Sequence, residues 1–264
     1  MRKIGLGILI TSVGLIALTA GGLLTFAQTE NPLSGKIIAL DACHGGNTLG
    51  AQYPATCADD GDPSDCQIYE KDVNLAVTHV LKGELEANGA KVVLSRECNE
   101  TISTNKARAD TAVEKCKLVD VNGDGQADGR KCDVLVSVHH NGSVESSHDG
   151  TMVIYNERQD KPLAIALHDS LISSLGLTDE GYDNGGYGMT VFDHLVSALT
   201  ESYYITNTAE ADYYLAGATT TVCQNSDGSD YKVRIGDRVN QEADTLYQGL
   251  LNYFSISPTK PGSK

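Results

Sequence analysis

The stretch VLVSVHHNGS, Val134–Ser143, decides how this chain is read. A run of five residues, apolar except for Ser137, is followed by two histidines and then by the turn-forming Asn141, Gly142 and Ser143. Short apolar runs closed by turn residues are buried strands. Successive strand side chains point to opposite faces, so His139 and His140 serve different surroundings. Either the strand simply ends in two polar residues, or one of them is a metal ligand delivered to a sheet edge.

Working outward, the same grammar repeats. KIIALD (36–41), AKVVLS (90–95), GTMVIYN (150–156) and VSALTE (196–201) are further strand candidates. Between them, Val73, Ala76, Val77, Val80, Leu81 and Leu85 have helical spacing, with Asn88-Gly89 as a stop. Helices are also predicted at 103–116, at 161–176 with Pro162 near the start and Gly176 at the end, and at 236–254. Strands alternating with helices predict an α/β fold: one domain at 36–255, its twisted, mostly parallel sheet covered by helices on both faces. Residues 28–35 are expected to be a linker and 256–264 a disordered tail.

The net charge of −15 excludes a nucleic-acid partner, which requires a basic footprint. Arg2 and Lys3 precede an uncharged run from Ile4 to Ala27, so the domain is expected to be exported. Residues 1–27 are then either a cleaved signal peptide or a retained membrane anchor. An exported chain with seven cysteines is expected to form disulfides. Cys57 pairs with Cys66 and Cys116 with Cys132 around acidic loops, Cys98 is assigned to Cys223, and Cys43 is left over.

In open α/β sheets, ligands sit beyond the carboxyl ends of the strands. His44, His139 and Glu201 fall at such ends, and Glu70 opens the first long helix. Two histidines and one glutamate, with water in the fourth place, are the donor set of an open catalytic zinc site. A second, unbound glutamate supplies the proton acceptor that metal-assisted amide hydrolysis needs.

Six segments carry a resemblance: LDACHGG, EKDVNL (Glu70–Leu75), Ser95-Arg96, the Arg108–Ala112 step, SVHHN and LTESYYITN. From Lys36 to Phe254 the chain resembles the zinc-dependent N-acetylmuramoyl-L-alanine amidases of bacteria, the amidase 3 family. The resemblance implies that His44, Glu70 and His139 bind zinc and that Glu201 is the catalytic carboxylate. It puts His140 at a variable position, where it packs or lines the rim, and makes Asn141 a contact to substrate or to a ligand. The implied substrate is peptidoglycan, cut between N-acetylmuramic acid and L-alanine. The alternatives are another zinc peptidase acting on wall peptides and a non-catalytic wall-binding protein. No separate wall-binding domain is visible, which leaves targeting to the anchor or to a protein partner such as an activator. Cys43 stands where the family has glycine and is read as packing or pairing, because three ligands are already at hand.

Two insertions stand apart from the resemblance. Residues 53–69 form an acidic loop between His44 and Glu70, either a stapled surface loop or a substrate contact. In DVNGDGQAD, the oxygens of Asp120, Asn122, Asp124 and Asp128 around Gly125 imitate a calcium loop, although Lys131 stands where a bidentate glutamate belongs. The alternative is a plain Asp/Gly turn.

Overall fold

The computed structural model describes residues 31–57 and 63–256. The expected export segment and the tail beyond Ile256 lie outside the described residues. Along the chain come β1 (Ile37–Ala42), β2 (Gln52–Tyr53), β3 (Ile68–Tyr69), α1 (Glu70–Ala87), β4 (Lys91–Leu94), α2 (Asn105–Lys117), β5 (Val134–Asn141) and β6 (Thr151–Tyr155). There follow α3 (Lys161–Leu175), β7 (Asp179–Asn184), β8 (Ser197–Tyr204), α4 (Thr208–Leu215), β9 (Ala218–Gln224), β10 (Asp230–Ile235) and α5 (Asp237–Ile256).

The central sheet has the order β4-β1-β5-β8-β6-β7. β4, β1, β5 and β8 are mutually parallel, and β6 runs antiparallel to β8 with β7 parallel to β6. The sheet is therefore mostly parallel, as expected. All six residues of β1 are buried, which is why the strand reads as a continuous apolar run rather than an alternating one. On one face, Ile38, Leu40, Val134 and Val136 pack with Val73, Val77 and Leu81 of α1, Leu163 and Leu167 of α3, and Leu246 and Leu250 of α5. On the other, Ile37, Ala39 and Leu135 pack with Ala109 and Ala112 of α2. The small alanines let α2 lie close to the strands, which matters below because α2 carries Arg108.

Several elements exceed the sequence expectation. β8 continues three residues beyond Glu201, with Ser202, Tyr203 and Tyr204 all buried. The polar edge strand β7 and the antiparallel ribbon β9–β10 lack the apolar runs that marked the other strands. The short α4 is capped by Asn207, whose side-chain oxygen accepts from the amides of Ala209 and Glu210. At the start, Leu33 is fully buried in the core, so this part of the expected linker belongs to the domain.

Three disulfides close the chain on itself, with Cα–Cα distances of 5.1 Å for Cys57–Cys66, 5.6 Å for Cys98–Cys223 and 5.4 Å for Cys116–Cys132. These are the pairings expected from the sequence. Among the described residues, no helix is long and apolar enough to cross a membrane.

Candidate metal centre

The parallel register sets His139 of β5 directly beside Glu201 of β8, and Ala42 of β1 beside Val138. The residues just past Ala42 therefore meet His139 at the carboxyl rim of the sheet. Glu70 reaches the same point from the first turn of α1, where the positive end of the helix favours a carboxylate. Its Oε1 lies 3.0 Å from His139 Nδ1, and its Oε2 lies 3.1 Å from His44 Nε2. The two imidazoles are edge-on, with ring centroids 5.3 Å apart. The three residues placed together from the sequence are thus together in space.

Further contacts fix Glu70. The amides of Ala51 and His140 donate to its two oxygens, and Asn74 Nδ2 donates to Oε1 at 3.3 Å. Gly50 leaves the room: a Cβ there would sit 2.4 Å from Glu70 Oε2, and its φ of 73° favours glycine. Burial alone would raise the Glu70 carboxyl, but hydrogen bonds from His139 and His44 hold it well below the ordinary carboxylate range. Burial likewise disfavours a charged His139, and its contacts with Cys43 and Glu70 push it well above the ordinary imidazole value.

His44 occupies the left-handed region at φ 61°, uncommon for a residue with a side chain. Two buried arginines brace this turn. Arg96 donates to the carbonyls of Ala42, Cys98 and Lys71, each at 2.6 Å. Arg108 donates to the carbonyls of Ala42 and His44 and forms an ion pair with Asp41. Asp41 also accepts from the hydroxyls of Ser95 and Ser137. Burial opposes its ionisation, but Arg108 and the two hydroxyls bring its carboxyl below the usual value. From EKDVNL, Lys71 Nζ closes the loop by donating to Gly46 O at 2.9 Å, and Asn74 Nδ2 reaches Cys43 O at 3.1 Å.

Glu201 has a buried Oε2 that no hydrogen bond satisfies. Burial pushes its carboxyl up to about 7, with His139 opposing the shift and Glu70 adding to it. His140 points to the opposite face, as strand alternation requires. It is 1% exposed, and its ring nitrogens lie 2.7 Å from Asn74 Oδ1 and 2.8 Å from Glu242 Oε2. It packs; it does not line the rim. Asn141 Oδ1 accepts from the Gly142 amide, while its carbonyl accepts from Ile205.

The group of donors able to hold an ion is wider than the sequence suggested. Cys43 is outside every disulfide and buried, and one donor atom each from Cys43, His44 and His139 lie within 4.8 Å of one another. Of the two readings of Cys43, packing or pairing, pairing is excluded: it is a free, buried thiol beside two histidines. His139 Nε2 is buried without a hydrogen-bond partner. Two imidazoles aimed at one carboxylate, with an unsatisfied ring nitrogen among them, fit the donor chemistry of a first-row metal such as zinc.

The acidic loop makes no such group. Asp120 accepts from the amides of Gly123 and Gly125, Asn122 Nδ2 donates to Asp128, and Asp124 accepts from the Gln126 amide. The other insertion folds back as the β2–β3 pair under the Cys57–Cys66 bridge. Beside its root lies a cleft of about 330 Å³, lined among others by Ala51, Gln52, Gly142, Ser143 and Thr206.

Residues 38–225 match the amidase 3 family, N-acetylmuramoyl-L-alanine amidase. The chain belongs to that family. As such an amidase it is a peptidoglycan hydrolase. It is 29% identical over 190 residues to the uncharacterized protein YqiI of Bacillus subtilis, covering 70% of this chain and 78% of that one. Over 240 residues it is 24% identical to the germination-specific N-acetylmuramoyl-L-alanine amidase of Bacillus subtilis, covering 87% and 84%. It is also 27% identical to the Bacillus subtilis amidase LytC, of which it spans only 32%. The fold of this amidase is shared with the catalytic domain of CwlV from Bacillus (Paenibacillus) polymyxa, at a TM-score of 0.61 and 23% identity over 84% of this chain and 99% of the other. The Clostridioides difficile amidase CwlD, solved with the GerS lipoprotein, superimposes with a TM-score of 0.58 at 21% identity, over 84% of this chain and 100% of that one.

Proposed function

We propose that this amidase is zinc-dependent, with His44, Glu70 and His139 as its metal ligands and Glu201 as the group that moves the proton. The observation that carries the reading is the convergence of both imidazoles on the two oxygens of Glu70, at 3.0 and 3.1 Å. A zinc ion held there would supply Lewis acidity, acidifying a water and polarising the scissile carbonyl.

The protein's own part is positioning. Ala51, Asn74 and His140 hold Glu70 by hydrogen bonds, so the carboxylate is set before any ligand arrives. Arg96 and Arg108 hold the His44 turn. Glu201 makes none of these contacts. Its carboxyl, raised to about 7, is suited to accept a proton from the attacking water at Oε and return it to the leaving amine of L-alanine.

The relatives named N-acetylmuramoyl-L-alanine amidases and the three disulfides support an exported protein acting at the cell surface. The complex of CwlD with a lipoprotein supports a protein partner here too. In the loop at Asp120, Asn122, Asp124 and Asp128 we propose a structural calcium ion, on the strength of the ligand spacing.

Digestion of purified peptidoglycan tests the assignment. Stem peptides with a free N-terminal alanine should accumulate, stop on chelation and resume on adding zinc. Release of C-terminal amino acids instead would favour the peptidase alternative, and activity unaffected by a chelator would remove zinc from the mechanism.

A further inference from the structure

We propose that Cys43 is a fourth protein donor to the metal held by His44, Glu70 and His139. The inference rests on the zinc reading above and extends it with a sulfur ligand. It begins with the pleat. Ala42 pairs with Val138, so Asp41 and Ser137 share one face of the sheet, as their 2.7 Å hydrogen bond shows. Two residues further along each strand, that same face carries Cys43 and His139. The Cys43 amide donates to Val138 O at 3.3 Å, extending the pairing one step past the end of β1.

The thiol is held there by contacts that need no metal. Asn74 Nδ2 and Arg96 Nη2 both donate to the Cys43 carbonyl, at 3.1 and 3.4 Å. The sulfur ends with one nitrogen of each histidine in a group no wider than 4.8 Å. Independently, His139 Nε2 is buried and has no hydrogen-bond partner in this pocket. Thiolate and imidazole together are a favoured donor pair for zinc.

The chemistry of the compartment points the same way. The other six of the seven cysteines are joined in disulfides, so Cys43 is the single thiol of a chain built for an oxidising environment. A thiol tied up in a metal bond is withdrawn from oxidation and disulfide exchange, both of which need a free thiolate. A sulfur donor beside the His–Glu–His set would also lengthen metal retention.

Cobalt(II) substitution of the full-length, disulfide-intact protein tests this without reference to turnover. The expected spectrum has visible ligand-field bands together with a near-ultraviolet sulfur-to-cobalt charge-transfer band. Cys43→Ser should keep the visible bands and lose the charge-transfer band. Visible bands without the charge-transfer band in the unsubstituted protein would overturn the sulfur ligand while leaving the metal site standing. Failure of the unsubstituted protein to take up cobalt or zinc would overturn the metal reading and this one with it. Should Cys43→Ser not fold, the unsubstituted protein still decides, because no second thiol can produce the band.

Discussion

At the rim of the sheet, the donors of His44, Glu70 and His139 face one another; in the loop at 120–128, the donors of Asp120, Asn122, Asp124 and Asp128 face backbone amides and each other. At the rim Glu70 is only 4% exposed, while most of the loop lies in solvent. In the loop the Gly125 amide, more than any other group, keeps the Asp120 carboxyl below its ordinary value. Burial is the difference that matters. An exposed carboxylate is satisfied by water and local amides at little cost, whereas a buried one persists only where specific partners hold its charge. The rim therefore carries a donor set whose charges require partners, and the loop carries one that is stable as it stands.

The comparison can be broken most directly at β5. His139→Ala should lose both bound zinc and activity, read by elemental analysis and peptidoglycan hydrolysis. His140→Ala should keep its zinc yet lose about 3 kcal/mol of stability in denaturant titration, because Glu242 is left buried without its partner. The opposite pattern, with zinc lost from His140→Ala and kept by His139→Ala, would exchange the roles of the two sheet faces.

Glu201→Gln sharpens the rim side. Activity should fall by about 10²–10⁴-fold with zinc content unchanged. The same variant has a stability signature in metal-free protein. Since the folded Glu201 titrates at about 7, above its unfolded value, its stabilising contribution is complete at acid pH and is lost as pH rises through about 7. The melting temperature of the unsubstituted protein should therefore fall relative to Glu201→Gln across that window. A constant difference between the two melts would mean that the carboxyl is not raised, and zinc loss in the variant would make Glu201 a ligand.

The smallest effect belongs to the loop. Millimolar calcium should raise the melting temperature of the unsubstituted protein by a few degrees and leave Asp124→Ala unmoved. Identical melts with and without calcium would reduce the loop to a hydrogen-bonded turn.

What the sequence made legible was whatever depends on short-range pattern. β1 and the first part of β5 announce themselves as largely apolar runs, and α3 is bracketed by Pro162 and Gly176, the latter left-handed at φ 68°. β9 and β10 escaped because a largely exposed two-stranded ribbon needs no apolar run, and β7 because it is a polar edge. α4 did leave a signal, Asn207 followed three residues on by Glu210, the pattern of a capped helix start. At the rim, His44, Glu70, His139 and Glu201 were placed near one another from strand ends and motifs, and in space they are neighbours. Cys43, read as packing or pairing, is buried and unpaired, and of the two histidines beside it His139 comes from a strand almost a hundred residues away, beyond any local pattern. His140 does pack, one of the two roles left open for it, but its partner Glu242 lies 102 residues along and leaves no short-range signal.

The brace around His44 bears on how portable the first motif is. Local bonds between Gly45 and Thr48 close the turn, but the buried bonds that brace LDACHGG come from elsewhere: Arg96 lies 54 residues beyond Ala42, and Arg108 lies 67 beyond Asp41. A fragment that carried the motif but stopped short of α2 would contain the histidine and not its direction. Grafting this site onto another scaffold therefore means moving two guanidinium groups and a buried aspartate along with the ligands. The unit of inheritance is the corner of the sheet, and the short signature is only its visible edge.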